Sequence, residues 1–311
     1  RVRRALRGYG LAERGLERVE AVAADLSRPL VGLAPARFAL LAAECDAIYH
    51  NAAVVSLMRG YRSMRDANVG ATSELIRLAA AERAAPLHYV STLAVAPPLA
   101  VAPEVPEDFV PFHAGLRDGY QQSKWASERL VEQAMARGLP ASVCRLGRVA
   151  GPASGAALNP QDLFWQLMGA AARLGLWPAI VEQEAWTPVD QAARAVVRAA
   201  RSGAGGVFNL APAAPVRYAD LLAWARDYGY ELEPCSAAAW RAALERQGGV
   251  AGALFELQSE FEAPRIGPIR AERAAAALGS TPVDRALFRR YLDRAVADGL
   301  LPAPGLVMAG G

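Results

Sequence analysis

The sequence has few of the side chains that build metal centres and disulfide frameworks. In 311 residues there are three cysteines and three histidines, and neither set shows the close spacing of metal ligands. Widely separated cysteines act as small buried apolar side chains in a reducing compartment. We therefore predict a cytoplasmic protein without a metal site. The residues concerned are Cys45, Cys144, Cys235, His50, His88 and His113.

Concentrated charge and long hydrophobic runs are also missing. The 34 basic and 31 acidic residues are scattered, without the basic block that is typical of nucleic-acid binding. The most apolar stretch, residues 84–103, is interrupted by His88, Ser91, Thr92 and several prolines, which argues against a membrane-spanning helix. Hydrophobic residues still make up 53% of the chain, enough for a large core. We predict a globular protein that binds neither nucleic acid nor membrane.

Lysine is almost absent as well. Of the 34 basic residues, Lys124 is the single lysine and all the others are arginines. A lysine head group is a compact ammonium whose pKa shifts readily on burial, whereas a guanidinium stays charged. Because all the remaining basic positions hold arginine, we infer that the chemistry at position 124 requires lysine.

Short apolar runs alternate with helical segments in the first half of the chain. This alternation is typical of a parallel sheet covered by helices on both faces, in which ligands bind at the carboxyl ends of the strands. Each predicted strand is followed by a polar or glycine-bearing group, although such groups also begin turns and helix caps. The predicted strands are Val19–Ala24, Ala47–Tyr49, Leu87–Val90 and Ala141–Cys144, and the groups that follow them are Asp25, Asn51, Thr92 and Arg145-Leu146-Gly147.

A tyrosine and the single lysine form a Tyr-x-x-x-Lys pair, Tyr120 and Lys124, on a predicted helix over 119–137. Residues four apart project from one face of a helix and reach the same region. A nearby ammonium lowers the pKa of a tyrosine, which would make Tyr120 a usable proton donor. Together with Thr92 at a strand end, the pair predicts a catalytic site; the alternative is a surface tyrosine beside an ordinary salt-bridging lysine.

Several short motifs resemble those of extended short-chain dehydrogenases in their order and spacing. More closely, the chain resembles the thioester reductase domains that end nonribosomal peptide synthetases and carboxylic acid reductases. The resemblance covers nearly the whole chain, and Leu146, where many relatives have proline, is a small departure. The motifs are Asp25-Leu26, Tyr49–Ala53, Ala67–Val69, Tyr89–Thr92, Gly119–Trp125, Arg145–Gly151, Val189-Asp190 and Val207–Leu210.

The resemblance implies an α/β fold, a Rossmann-type doubly wound parallel sheet with a smaller, mostly helical carboxy-terminal lobe. We expect the dinucleotide-binding domain to comprise residues 1–150, with residues 185–215 returning to it. The lobe, which would face the substrate and its carrier, would comprise 151–184 and 216–311.

One feature of these relatives is missing. No glycine-rich turn for a pyrophosphate occurs before Asp25. We therefore expect the first strand, the first helix and the second strand to lie upstream of Arg1. The assignment of NADPH as cofactor then comes from the resemblance alone, and Arg1 is a candidate contact to the 2′-phosphate or an ordinary surface residue of a helix.

The resemblance implies a substrate held as an acyl or peptidyl thioester on the phosphopantetheine arm of a carrier domain, which we expect in the same polypeptide. Hydride transfer from NADPH would release an aldehyde, and a second transfer would give an alcohol. Thr92 and Tyr120 would hydrogen-bond the oxyanion, Tyr120 would donate the proton, and Lys124 would bind the nicotinamide ribose. The cofactor contacts implied are Arg1, Asp25, Leu26, Asn51, Ala52, Ala53, Lys124, Leu146, Gly147 and Val149. Phe109–Phe112, Trp125, Phe164 and Trp165 are candidates for the acyl or pantetheine channel, or for simple packing.

Two other functions stay open. A nucleotide-sugar epimerase or dehydratase would use the same Thr92, Tyr120 and Lys124, with a bound cofactor that passes through a full redox cycle. A non-catalytic domain that keeps this fold to dock carrier domains is the second alternative, although intact Thr92, Tyr120 and Lys124 argue against it.

Overall fold

The computed structural model describes residues 2–9, 12, 15–56, 59–155, 157–179, 183–247, 265–275 and 282–305. In chain order the helices are α1 (Val2–Gly8), α2 (Pro35–Glu44), α3 (Tyr61–Arg65), α4 (Ala71–Ala80), α5 (Gly119–Ala136), α6 (Leu163–Leu174), α7 (Val189–Arg201), α8 (Tyr218–Tyr228), α9 (Ala237–Gln247), α10 (Glu272–Ala275) and α11 (Arg285–Ala297). The strands are β1 (Ile48–His50), β2 (Leu87–Thr92), β3 (Ala141–Leu146), β4 (Arg148–Ala150), β5 (Leu176–Pro178), β6 (Gln183–Glu184), β7 (Trp186–Pro188), β8 (Gly206–Leu210), β9 (Val216–Arg217) and β10 (Glu233–Cys235).

A four-stranded parallel sheet in the order β1-β2-β3-β8 forms the centre of the fold. Successive side chains of a strand point to opposite faces of a sheet. Accordingly Val143 and Val207 pack with residues of α2, α4 and α5, whereas Cys144 and Phe208 pack with Ala195 of α7 and its neighbours. Helices thus cover both faces, and the predicted doubly wound α/β fold is confirmed.

The predicted strand at Val19–Ala24 is wrong. This run is extended but exposed along its length, and no strand in the described part of the chain pairs with it. An extended segment becomes a strand only when a neighbour completes its hydrogen bonds. At its end the chain folds back on itself, because the Asp25 backbone N–H donates to the Val31 carbonyl at 2.8 Å.

The apolar spacing of residues 68–83 predicts a helix that begins at Asn68, and the structure gives this helix a more complex start. α3 begins at Tyr61, and one π-helical turn, Asp66–Gly70, joins it to α4. Such π turns inside helices are frequent at functional sites. The turn leaves the side chain of Asn68 buried and directed at its neighbours in the site described below.

A second core lies in the helical lobe. Phe164 and Trp165 of α6 pack with Trp186 and with Phe288 of α11, and the Phe164 and Trp186 rings are 4.7 Å apart edge to face. Helix α8 adds Leu221 to the same cluster. The sequence pattern also predicts a helix over 271–278. The structure describes α10 within this segment, and residues 276–278 lie outside the described residues. The domain limits given above remain predictions.

Candidate active site

The start of α5 is held by a cap and by close backbone packing. The Asp118 carboxylate accepts a hydrogen bond from the Gln121 backbone N–H at 2.8 Å, as an N-cap residue does. Gly119 packs directly on the turn that precedes α3, and a Cβ there would lie 2.5 Å from the carbonyl carbon of Gly60. Only glycine fits this contact, which places Tyr120 in the first turn of α5.

Tyr120 meets Thr92 at the carboxyl end of β2. Burial raises the pKa of Tyr120, a hydrogen bond with Thr92 opposes this rise, and the charge of Asp118 adds to it. The Thr92 hydroxyl also accepts a hydrogen bond from the Ala94 backbone N–H at 3.1 Å, which fixes its side chain. The two residues predicted from the sequence to share an oxyanion therefore lie together.

Lys124 is almost completely buried, with 3% of its surface exposed. Its Nζ donates to the Val90 carbonyl at 2.6 Å and lies 4.1 Å from the centroid of the Tyr89 ring. Burial lowers the pKa of Lys124 to about 7, while the charge of Glu128 acts in the opposite direction. The expectation that Lys124 lowers the pKa of Tyr120 is not met in the structure, because the ammonium is directed at the Val90 carbonyl.

A layer of buried polar residues lies behind Lys124. Hydrogen bonds join the Tyr89 side chain to Ser127 and Thr72, and the Thr72 hydroxyl lies 3.1 Å from Nε2 of His50. Burial and the nearby Lys124 charge lower the pKa of His50 to about 4, so that its ring is neutral at neutral pH. This layer is not apparent from the sequence, where the only signal is that Ser127 follows Lys124 by three residues on the same face of α5.

Asn68 orders the segment that follows β1. Its side-chain amide donates to the Val54 carbonyl at 3.0 Å and to the Ser123 hydroxyl at 2.9 Å. Its Oδ1 accepts the Val54 backbone N–H at 2.7 Å. One side chain thus joins the loop after β1 to the helix that carries Tyr120, a role that the motif around Asn68 did not reveal.

The predicted cofactor contacts lie at two strand ends. Asn51 and Ala52 are exposed beyond β1. Leu146 is the register partner of Thr92 and so borders the site. Close packing requires glycine at position 147, because a Cβ there would lie 2.9 Å from the side chain of Ala185. Ala53 and Val149 are half-buried near these two ends.

The remaining predicted contacts are less well supported by the structure. The Asp25 carboxylate accepts hydrogen bonds from the Ser27 N–H at 3.0 Å and the Ser27 hydroxyl at 2.6 Å, so it stabilises a turn. These bonds lower the pKa of Asp25, the side-chain bond being the larger cause. Leu26 packs against the sheet core. Arg1 lies outside the described residues.

The aromatic candidates for a substrate channel fall into two groups. Phe164 and Trp165 are buried in the core of the helical lobe, where packing explains them. Phe112 is 68% exposed and meets the Trp125 ring edge to face at 5.4 Å. The indole of Trp125 donates to the Val110 carbonyl at 3.0 Å, so this pair marks an exposed aromatic surface on α5 and the loop before it.

Within the described residues, no cluster of histidine, cysteine, aspartate and glutamate has the geometry to hold a metal ion. Among the helices of that part of the chain, none combines the length and apolarity needed to cross a membrane.

Short-chain dehydrogenases and reductases have this arrangement: a parallel sheet covered by helices, with a threonine, a tyrosine and a lysine close together at the end of one strand. The model of the NAD-binding family described as male sterility protein matches residues 1–196. The chain is 45% identical over 314 residues to the isonitrile lipopeptide synthase of Streptomyces coeruleorubidus, covering 94% of this chain and 21% of that protein. The chain thus spans about a fifth of the length of that relative.

Two solved structures share the fold. The terminal R domain of the myxalamid PKS-NRPS pathway is 34% identical with a TM-score of 0.87, over 97% of this chain and 81% of that one. A thiolation-reductase di-domain of an archaeal nonribosomal peptide synthetase is 19% identical with a TM-score of 0.69, over 85% of this chain and 60% of that one. The chain belongs to the NAD-binding family of terminal reductase domains of nonribosomal peptide synthetases, and is an oxidoreductase that uses a nicotinamide cofactor.

Proposed function

We propose that this chain releases an acyl or peptidyl thioester from a carrier domain by NADPH-dependent reduction to the aldehyde. The observation that carries the proposal is the meeting of Thr92, Tyr120 and Lys124 at the carboxyl ends of parallel strands. Ligands of such sheets bind at this edge. The exposed residues Asn51 and Ala52, which directly follow the neighbouring strand β1, leave room for an extended dinucleotide.

The chain's own residues would act on the thioester carbonyl. When bound, a reduced nicotinamide supplies the hydride to the carbonyl carbon. The Thr92 and Tyr120 hydroxyls would hydrogen-bond the oxygen as negative charge develops, and single donors of this kind commonly contribute about 3 kcal/mol. Tyr120 then gives the oxygen its proton, and the hemithioacetal collapses to an aldehyde and the carrier thiol. Because burial raises the pKa of Tyr120, the residue enters the reaction protonated.

Lys124 would bind the cofactor, and its protonation would change when the cofactor binds. An ammonium has three donors, and the structure uses one of them for the Val90 carbonyl. The others would bind the ribose hydroxyls, and the negative charge of a dinucleotide would favour the charged form of Lys124. The further residues proposed to hold NADPH are Asn51, Ala52, Ala53, Leu146, Gly147 and Val149, with Asp25 and Leu26 beside the adenine and Arg1 at the 2′-phosphate.

A phosphopantetheine-bearing carrier domain is the proposed partner. The isonitrile lipopeptide synthase is about five times as long as the matched segment, which leaves room for further domains. In the archaeal di-domain structure a thiolation domain and a reductase domain belong to one chain. The preference for NADPH over NADH, the cytoplasmic location and the channel role of Phe112 and Trp125 belong to this proposal.

The proposal is tested by following the oxidation of NADPH and of NADH with an aminoacyl or acyl thioester on a carrier protein. The assay uses the chain together with any sequence that its gene encodes before Arg1. We expect thioester-dependent oxidation, stoichiometric release of carrier thiol, and a preference for NADPH. Tight NADPH binding without oxidation would contradict the proposal, and turnover of a nucleotide sugar without net NADPH loss would identify the epimerase alternative.

A further inference from the structure

A buried ion pair that the proposed reaction does not use lies beside the catalytic helix. Arg145 of β3 has no exposed surface, and Glu128 of α5 is almost as buried. The Arg145 guanidinium donates to the Glu128 carboxylate through Nε at 3.0 Å and Nη2 at 2.7 Å. Removing two charges from water costs free energy that their mutual attraction often does not recover. Stability alone therefore does not explain a buried pair of this kind.

Glu128 connects the pair to both catalytic elements. Its Oε1 accepts a hydrogen bond from the Ser91 hydroxyl at 2.6 Å, and Ser91 directly precedes Thr92. On α5, Glu128 lies one turn after Lys124, and its charge acts on that ammonium. One carboxylate therefore contacts the strand end that carries Thr92 and faces the lysine of the same site.

Arg145 connects the pair to the loop between β2 and α5. Its Nη1 donates to the Pro106 carbonyl at 3.2 Å, and its Nη2 donates to the Asp108 carbonyl at 3.0 Å. The same loop is held a few residues later, where the Arg129 guanidinium donates to the Val110 carbonyl at 3.0 Å. The Arg145 guanidinium thus donates hydrogen bonds to the carboxylate and to two loop carbonyls at the same time. The compact ammonium of a lysine could not donate in all these fixed directions.

We propose that Glu128 and Arg145 are positioning residues of the reductive site, which hold α5, the strand end at Thr92 and the loop at Pro106–Asp108 in one fixed arrangement. This inference rests on the proposed function, because it concerns the geometry of the same reaction. A displacement of about 1 Å at a reacting centre lowers rates by about a hundred-fold. The pair therefore acts on turnover through Thr92 and Lys124 and makes no contact with the substrate.

The least disruptive test keeps the ion pair and removes one link. Ser91→Ala deletes the hydroxyl that joins Glu128 to the Thr92 strand end. The matched control is Ser142→Ala, a buried serine at the opposite end of the sheet that is bonded to His88 at 2.8 Å. We expect kcat to fall by about ten-fold in Ser91→Ala, with KM and the Kd for NADPH unchanged, and wild-type kcat in Ser142→Ala. Equal kcat values for the two variants would overturn the proposal.

A second pair of variants changes the charge on α5. Glu128→Gln removes the carboxylate that faces Lys124, whereas Glu132→Gln makes the same change one turn later, where Glu132 is partly exposed and paired with Arg129. We expect the alkaline limb of the kcat/KM profile to move to lower pH in Glu128→Gln only. Tyr89 on β2 and His50 on β1 interact with the ammonium, Tyr120 lies one turn before it on α5, and Arg145 on β3 pairs with Glu128. All four residues are retained in both variants.

A third measurement separates this inference from the proposed function. Because Lys124 is the single lysine, a lysine-labelled chain gives one side-chain NMR signal, whose titration needs no turnover. We expect this signal to titrate at lower pH in Glu128→Gln and at the wild-type pH in Glu132→Gln. An unchanged titration in Glu128→Gln would overturn the positioning role even if reduction is observed. A shifted titration in a chain that reduces no thioester would support the coupling of Glu128 to Lys124 and refute the reductive function.

Discussion

At the scale of single residues, Lys124 is an ammonium held where water cannot reach it. Burial lowers its pKa to about 7, so a large part of its population is neutral near physiological pH. A group of this kind responds to the arrival of an anionic ligand by taking up a proton. Binding of a dinucleotide should therefore be coupled to proton uptake at Lys124.

The pKa of Lys124 also predicts how stability depends on pH. Its pKa is about 7 in the folded chain and 10.5 in the unfolded chain, so the unfolded chain binds more protons between these values. The contribution of Lys124 to the free energy of unfolding then rises with pH across this window. Lys124→Met should remove this rise. Between about pH 7 and about pH 9, the free energy of unfolding measured with urea should increase by about 2 kcal/mol more in the wild type than in Lys124→Met.

A matched variant controls for the general effect of pH on the fold. Arg241→Met removes a basic residue from α9 in the helical lobe and should keep the wild-type rise. Parallel curves for the wild type and Lys124→Met would show that Lys124 is not a buried ammonium.

At the scale of elements, α5 carries the site and its start depends on one glycine. Alanine is the better helix former by about 1 kcal/mol, so propensity alone would favour Gly119→Ala. A Cβ at this position would nevertheless lie 2.5 Å from the Gly60 carbonyl carbon, which is backbone and cannot rotate away. We expect Gly119→Ala to lower the free energy of unfolding by about 2 kcal/mol and to reduce kcat through displacement of Tyr120.

Gly70→Ala is the control for this prediction. Gly70 ends the π turn before α4, and a Cβ there would be 3.8 Å from its nearest neighbour, the Arg65 carbonyl oxygen. The variant should be neutral or stabilise the fold by up to about 1 kcal/mol. Denaturant unfolding of both variants measures the difference, and equal stabilities would mean that Gly119 does not pack on the turn at Gly60.

At the scale of the whole molecule, a partly buried network of charged side chains joins β4 to the helical lobe. Arg148 of β4 donates to Glu184 at 2.7 Å and to Asp162, the N-cap of α6, at 2.8 Å. Glu184 also accepts hydrogen bonds from Trp186 at 2.9 Å and from Tyr218 of α8 at 3.0 Å. Loss of the guanidinium leaves two partly buried carboxylates without their cation.

Arg148→Met should therefore destabilise the chain strongly. Breaking a fully buried pair costs about 3–5 kcal/mol, and because these side chains are partly exposed we expect a loss of about 2 kcal/mol. Arg217→Met, which removes an exposed pair with Asp220, should leave the free energy of unfolding nearly unchanged. The two variants are compared by denaturant unfolding monitored by tryptophan fluorescence, and equal losses would show that the Arg148 network adds no more stability than an exposed pair.

The sequence predicts much of this architecture because its periodicities are local. Helical spacing, with glycine or proline at the ends, predicts helices over 35–44, 163–174, 218–228 and 237–247, and these are the bounds of α2, α6, α8 and α9. The run at Val19–Ala24 shows the limit of this reasoning, since a strand needs a partner that local pattern does not supply.

The same difference between local pattern and contacts distant in sequence decides which site residues could be predicted. The Tyr120 and Lys124 pair is four residues apart and could be recognised, and Thr92 could be placed because it ends a strand. Glu128 and Arg145 are 17 residues apart on different elements, and no spacing rule joins them. The direction of the Tyr120 pKa depends on burial, which the spacing of charged groups does not show.

In the proposed reaction, a hydride reaches the thioester carbonyl carbon while Tyr120 supplies the proton. Transfer of deuterium from NADPH labelled at C4 of the nicotinamide, followed by mass spectrometry of the released product, tests it most directly. The wild type should release an aldehyde that carries the label on its carbonyl carbon. In Tyr120→Phe the release should slow by about a hundred-fold or more, while Tyr228→Phe, a change in the helical lobe, should keep the wild-type rate. Unlabelled product, or equal rates in the two variants, would contradict the account.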